Sequence, residues 1–386
     1  MNTLYDVLGV KNTAGEEELR KSYRELARIH HPDINDDPSS NEKMAQINAA
    51  FETLIDPIRR MEYDAKLNGG IAGDPIQNSS ENSGKQLVKI KLLHRFVEHK
   101  TPIYGVTLAP DNTELVSSSF DNELYFWCLN DDQLKRKMKL ESGAVSTIVS
   151  SGRNLITAVG SSENTLTAWN VHGKKIDSWR LNVQDWVCSV KPSKDGEYIA
   201  FGTVNSKVGV VRSSNNDSIM TNIGHSQTVT ALAWSCDSRL LATGSADASV
   251  IIWDVQKGKK VVHLTNIRST VTAISFSPDN KKLAVAGVDL SIRIFDLENP
   301  SQFKIFFGHE KPIEVLEFHP SGKILASTGR DGNIGLWNIS GSVRHTKIEA
   351  SHQALNCLIF SHDGKKIIAG GLDKVLRVWS IAAPGL

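Results

Sequence analysis

The sequence predicts a multidomain chain, with a small all-α domain followed by an all-β propeller of seven blades. Three observations predict it. An unbroken 42-residue period runs through the second part, two amphipathic helices flank a His-Pro-Asp loop in the first, and a polar stretch joins them.

The period is read from the acidic or Asn residue that precedes each aromatic strand. Asp121, Glu163, Asn205, Asp247, Asp289, Asp331 and Asp373 follow one another at steps of 42 residues. Six residues after each stands Trp127, Trp169, Val211, Trp253, Phe295, Trp337 or Trp379. Each unit holds short β-type runs, such as VTALAWS, RLLATGS and SVIIWDV in the fourth. The turns between them, Ser-Pro-Asp-Asn at 277–280 and His-Pro-Ser-Gly at 319–322 among them, suit tight hairpins. A period of about 40–45 residues with G-H early and W-D late is a repeat signature of propeller blades. Gly224-His225 with Trp253-Asp254 is the best copy, and Gly308-His309 with Trp337-Asn338 is nearly as good.

Residues 87–386 therefore resemble the WD-repeat propellers. The resemblance implies a hydrogen-bonded network in each blade, joining His225, Thr243, Asp247 and Trp253 in one unit and His309, Ser327, Asp331 and Trp337 in another. Such networks satisfy buried polar groups, so these Asp and His residues are structural rather than catalytic. The third unit departs most, with Asn205, Val211 and no loop His. The seventh ends soon after Trp379 and lacks its own outermost strand, which the run LVKIKLLHRF (87–96) can supply. That pairing would close the ring and remove an open edge.

A constant period leaves no room for an inserted lid or catalytic loop. Function must then lie on the faces of the propeller, and in WD-repeat families the narrow face commonly binds partners. Aromatic residues and Arg dominate binding hot spots. Projected along the repeat, Tyr104, Phe120, Trp186 and Arg330 are the candidate contacts on that face.

Residues 1–68 read as four helices. Thr13 and Glu16 form a capping box, and the segment that follows puts Leu19, Tyr23, Leu26 and His30 on one face. Arg20, Lys21, Arg24 and Arg28 form a basic stripe, and His31-Pro32-Asp33 then ends the helix. A second stripe of Met44, Ile47, Phe51, Leu54 and Ile55 faces the first in a helical hairpin. With Tyr5-Asp6-Val7-Leu8-Gly9-Val10 before it and DPIRRMEYD after it, the whole set resembles a J domain. The resemblance implies that His31, Pro32 and Asp33 trigger ATP hydrolysis by a DnaK-type chaperone ATPase, while Arg20, Lys21, Arg24 and Arg28 attract it. The stripe stands out because residues 1–68 hold nine Lys and Arg against thirteen Asp and Glu, a net charge of −4. A local positive patch of this kind suits a steered, salt-sensitive encounter. No aromatic residues interleave with it, so no nucleic-acid partner is expected.

Residues 69–86, GGIAGDPIQNSSENSGKQ, lack the Phe and Cys of longer DnaJ-type chaperones and read as a flexible linker. Its relaxed reach is about 23 Å. The 386-residue chain has a net charge of +1 and no apolar run long enough to span a membrane, for which about 20 residues are needed. The first ten residues do not form a secretory leader, so the default location is cytoplasmic. Cys128, Cys188, Cys236 and Cys357 are scattered, which argues against a metal site or disulfide framework and for small buried side chains. No Gly-rich phosphate loop or nucleophile elbow occurs. The reading is a co-chaperone without enzymatic activity or cofactor, whose propeller holds an unidentified protein client or complex. The alternative is a scaffold in which the J domain only docks.

Overall fold

The computed structural model describes residues 3–12, 14, 18, 19, 22, 23, 26, 43, 47, 50, 51 and 54 of the N-terminal region. It also describes residues 89–382, except 110–112, 130–132, 141–146, 152–153, 162–164, 173–174 and 340–344. The chain divides into two units, Met1–Gly84 and Lys85–Leu386.

In the first unit, α1 (Leu4–Leu8) begins at a capping box in which Thr3 and Asp6 satisfy each other's backbone N–H. It ends at Gly9, whose φ of 63° is the left-handed conformation that glycine adopts without steric cost. Tyr5 and Leu8 of α1 pack with Leu19, Ile47, Ala50 and Leu54 in one apolar cluster. Tyr23 stacks on Phe51 with ring centroids 4.1 Å apart. The two stripes read from the sequence thus meet through these residues. The box at Thr13 and Glu16 lies outside the described residues, and the box at Thr3 and Asp6 was not read from the sequence.

The second unit is almost wholly β. Among the described residues its strands form seven four-stranded antiparallel sheets. The first is β2 (Ile103–Leu108), β3 (Glu114–Ser119), β4 (Glu123–Cys128) and β5 (Gln133–Lys139). The second is β6 (Thr147–Ser151), β7 (Asn154–Ser161), β8 (Thr165–His172) and β9 (Lys175–Asn182). The third runs from β10 (Val187–Pro192) through β11 (Tyr198–Thr203) and β12 (Lys207–Arg212) to β13 (Ser218–Ile223). The fourth runs from β14 (Val229–Trp234) through β15 (Leu240–Ser245) and β16 (Val250–Asp254) to β17 (Lys259–Leu264). The fifth comprises β18 (Val271–Phe276), β19 (Lys282–Gly287), β20 (Ile292–Asp296) and β21 (Phe303–Phe306). The sixth comprises β22 (Ile313–Phe318), β23 (Ile324–Gly329), β24 (Asn333–Asn338) and β25 (His345–Glu349).

The last sheet differs in its wiring. Only β26 (Leu355–Phe360), β27 (Lys366–Gly371) and β28 (Leu376–Ala382) come from the end of the chain. Its fourth strand is β1 (Lys89–Phe96), which pairs antiparallel with β28 from Lys89 opposite Ala382 to Phe96 opposite Leu376. The first strand of each sheet packs against the first strand of the next, and β26 packs back against β2.

Polar side chains stitch these innermost strands together. Thr230 donates its hydroxyl to Val271 O at 2.6 Å, Cys188 its thiol to Val229 O at 3.1 Å, and Asn356 its amide to Ile103 O at 3.1 Å. The last of these joins the final sheet to the first. Apolar cores fill the wedges between neighbouring sheets, where Val250 and Ile252 of one meet Val271 and Ile274 of the next. The middle strands are buried throughout, whereas β5 alternates between exposed and half-buried positions. Burial on two faces against burial on one explains that contrast. The hairpin turns are as the sequence implies, with Asn280, Gly322 and Gly364 at positive φ.

The cysteines require a correction. Cys128 and Cys357 are buried, but Cys188 and Cys236 are exposed. Cys188 lies near the start of an inner strand and lines the central channel.

Removing residues 87–96 takes away the β28 partner and the buried ring of Phe96. Loss of a buried Phe side chain alone costs about 3–5 kcal/mol. The melting midpoint of the second unit is expected to fall by at least roughly 10 °C, as read by calorimetry. An unchanged midpoint would mean that the fold does not depend on this pairing.

Candidate functional site

The turn acids form the polar framework that holds the exposed turns in place. In the fourth sheet His225 Nδ1 lies 3.1 Å from Asp247 Oδ2, and Nε2 lies 2.8 Å from Thr243 Oγ1. Trp253 Nε1 donates to the same hydroxyl at 3.0 Å. In the sixth sheet His309 reaches Asp331 at 2.9 Å and Ser327 Oγ at 2.7 Å, and Trp337 Nε1 donates to Ser327 Oγ at 2.7 Å. A carboxylate only accepts, so Nδ1 carries a proton in both. Gly224 precedes His225 because a Cβ there would strike the Trp253 ring.

A partial third copy, without the contact from Nδ1 to the turn carboxylate, escaped the sequence reading. His99 Nε2 lies 2.7 Å from Ser117 Oγ, which also accepts from Trp127 Nε1 at 2.8 Å. The signal was present, because His99 precedes Asp121 by the same interval that separates His225 from Asp247.

Sheets without the loop His use other chemistry. Arg293 pairs with Asp289 at 2.7 Å and Arg377 with Asp373 at 2.6 Å. Where Thr243 and Ser327 offer hydroxyls, these sheets carry Val285 and Ala369. The third sheet has neither device. Phe201 fills the space, lying where a Cβ on Gly209 would be, and Asn205 donates instead to Asp185 at 2.9 Å.

These surroundings move the titrations. Burial lowers the pKa of His99 to about 4 and depresses that of His225 against the pull of Asp247. For Asp331, burial opposes ionisation, but hydrogen bonds from His309, Asn333 and Glu310 outweigh it and lower the pKa.

The candidate contact residues lie around the turns and the mouth of the channel. Phe120 is 60% exposed and Trp186 54% exposed. Tyr104 is half-buried, lines the channel, and sits 6.1 Å from the Phe120 ring. Arg330 is exposed and its Nε donates to Glu314 at 2.5 Å. Val204 N donates to Trp186 O at 3.0 Å, which ties the backbone of these two exposed residues together. Val204, Val288 and Leu372 are also exposed, each in the position before its turn residue that Phe120 holds in the first sheet. The sequence places all of these at equivalent points, but a search for aromatic residues and Arg passes over the aliphatic ones. The channel encloses about 380 Å³ and its mouth includes Thr230, Thr272, Glu314 and Asn356. His31, Pro32, Asp33, Arg20, Lys21, Arg24 and Arg28 lie outside the described residues.

A family model described as DnaJ domain matches residues 3–64. One described as WD domain, G-beta repeat matches residues 90–128, 216–254, 258–296, 300–338 and 343–380. The chain is a member of the WD-repeat family and carries a J domain. The matched repeats leave out most of the second and third sheets, whose units carry neither a His nor an Arg at the positions that partner the turn residue elsewhere.

Over the J domain the chain is 54% identical across 69 residues to "Chaperone protein DnaJ 1" of Aquifex aeolicus, covering 18% of this chain and 19% of that protein. It is 46% identical across 69 residues to "Chaperone protein DnaJ" of Thermosynechococcus vestitus, covering 18% of each. The chain thus spans about a fifth of the length of the curated relatives it matches. Among the described residues, no helix is long and apolar enough to cross a membrane.

Two outcomes follow from the polar framework. Asp331→Ala leaves His309 buried without its acceptor and is expected to cost about 2–4 kcal/mol in denaturant unfolding. A cost under about 0.5 kcal/mol would mean that the network is not structural. His99 binds its proton less readily in the folded chain than in the unfolded one, so the stability it gives is complete above pH 6.5 and lost as pH falls towards about 4. Near pH 5 the loss is about 2 kcal/mol, and His99→Gln is expected to flatten the melting curve against pH over that window.

Proposed function

We propose that this protein is a J-domain co-chaperone that directs a DnaK-type chaperone ATPase to a partner held by its WD repeats. The observation that carries the reading is an intact His31-Pro32-Asp33 in a DnaJ-matched segment, on the same chain as the WD repeats. In this reading residues 1–68 are the J domain, 69–86 a flexible linker, and 87–386 a closed propeller of seven blades. The seven sheets and the return of β26 to β2 support the closed ring. The protein has no catalytic activity of its own and works in the cytoplasm.

The physical roles divide cleanly. Arg20, Lys21, Arg24 and Arg28 supply long-range attraction to an acidic ATPase surface, while the His-Pro-Asp loop makes the triggering contact. Phe120, Trp186, Tyr104 and Arg330 give the turn face the residue types that dominate partner binding. A linker of about 23 Å reach holds the J domain at an effective concentration near the millimolar range around whatever that face captures.

Single-turnover ATP hydrolysis by a DnaK-type chaperone tests the first part. The full chain is expected to accelerate hydrolysis, and His31→Gln to return it to the unstimulated rate with the melting curve unchanged. Stimulation retained by that variant would remove the assigned role. Absence of stimulation by the folded full chain would favour the scaffold reading.

A further inference from the structure

The outer strands of the first and last sheets concentrate positive charge. β1 carries Lys89, Lys91 and Arg95, β5 carries Lys135, Arg136, Lys137 and Lys139, and neither holds an Asp or Glu. The two sheets are neighbours, since Phe96 at the end of β1 packs on the Trp127 ring at 4.7 Å. Each strand is terminal in its sheet.

Few acids answer these cations. Glu114 reaches Lys135 at 3.8 Å, and Glu123 lies opposite Lys139 in the ladder but accepts from the Tyr125 hydroxyl. Lys91, Arg95, Lys137 and Lys139 form no ion pair with a described residue. The same rim exposes Leu92 and Leu93 in β1 and Val97 just beyond it.

Lysines on an edge strand guard against self-association. That explains the cations but not the leucines beside them, since an edge guarded only by charge gains nothing from exposed aliphatic groups.

We infer that this rim binds an extended peptide segment in which acidic and aliphatic residues alternate. Its aliphatic side chains would cover Leu92 and Leu93 while its carboxylates meet Lys91, Arg95, Lys137 and Lys139. Opposite charges facing one another across strands are favourable. The terminal position of β1 and β5 allows main-chain hydrogen bonds to add to this, as in strand addition. Nucleic acid fits less well. The Phe126 ring lies under Arg136 at 3.9 Å and the Tyr125 ring under Lys137 at 4.3 Å, and the exposed groups are aliphatic, so no ring face is open to a base. The inference names partner chemistry for the outer strands rather than the turn face, and it does not require the J domain to be active.

Fluorescence anisotropy with the full-length protein tests it, using a labelled peptide of alternating Glu and Leu long enough to span β1. Binding is expected, weakened about tenfold or more by Lys137→Glu with Lys139→Glu, and likewise by Leu92→Ser with Leu93→Ser. Lys137 and Lys139 belong to β5 and not to the closing strand, so the first variant remains informative if the second fails to fold. His31→Gln is expected to leave binding unchanged. No binding by the wild-type chain would overturn the inference. So would a single-stranded DNA of equal charge that binds as tightly, or a Glu and Ser peptide that binds as well as the Glu and Leu one.

Discussion

The ladder between β1 and β28 is the constraint on which the second unit depends. A row of sheets with apolar wedges between them is stable only if its two ends cover each other, because an end sheet left open exposes a core face and an unpaired edge. Here the entering strand completes the final sheet, so chain entry and chain exit are locked in one ladder. The polar stitches between innermost strands act in the same direction. Asn356 spans the junction between last and first sheets, doing there what Thr230 does in the middle of the ring. Closure is therefore secured twice, once by backbone pairing on the outside and once by side chains on the inside.

Within each sheet the recurring difficulty is a carboxylate at a tight turn, close to a buried aromatic strand. A carboxylate in that position is tolerated only when paired or richly hydrogen-bonded. Two sheets set a His between the carboxylate and a hydroxyl shared with an indole, and two use an Arg four residues along the strand, while Asp121 of the first sheet is held by Ser119 and the Glu123 N–H. In the Arg-bearing sheets Val285 and Ala369 stand where the His-bearing sheets carry a hydroxyl. The third sheet escapes the difficulty by carrying Asn205 in place of the acid and filling the gap with Phe201.

Much of this was legible in the sequence because a strict period converts one well-read unit into all the others. Strand positions, turn residues and the borrowed outer strand follow from the register of Trp253 and Asp247 alone. What escaped did so for identifiable reasons. His99 lies in the first unit, whose Val97-Glu98 lacks the Gly that flags the loop elsewhere, so only its interval to Asp121 marks it. The Arg pairs sit within apolar strands and look like surface residues until Asp289 and Asp373 are seen to face them. Cys188 looks like a core residue by composition, whereas its position at the mouth of the channel is a property of strand order that local sequence does not encode. Exposure of Val204, Val288 and Leu372 is likewise a consequence of where the turns project, not of the residues themselves.

Charge shows why the composition of the whole chain says so little. A net charge of +1 conceals −4 over residues 1–68 and therefore +5 over the remainder. Near-neutral totals arise here from two oppositely charged parts joined by a polar stretch, and the field of each is screened over a Debye length of about 8–10 Å. The positive excess of the second part is not spread evenly over its seven sheets. It gathers on β1 and β5, the strands on either side of the point where the ring is closed. The segment that ties the fold together is thus also the one with the most distinctive surface. In a chain whose constant period leaves no room for specialised loops, specificity has to be written into the exposed side chains of strands and turns that the fold already requires.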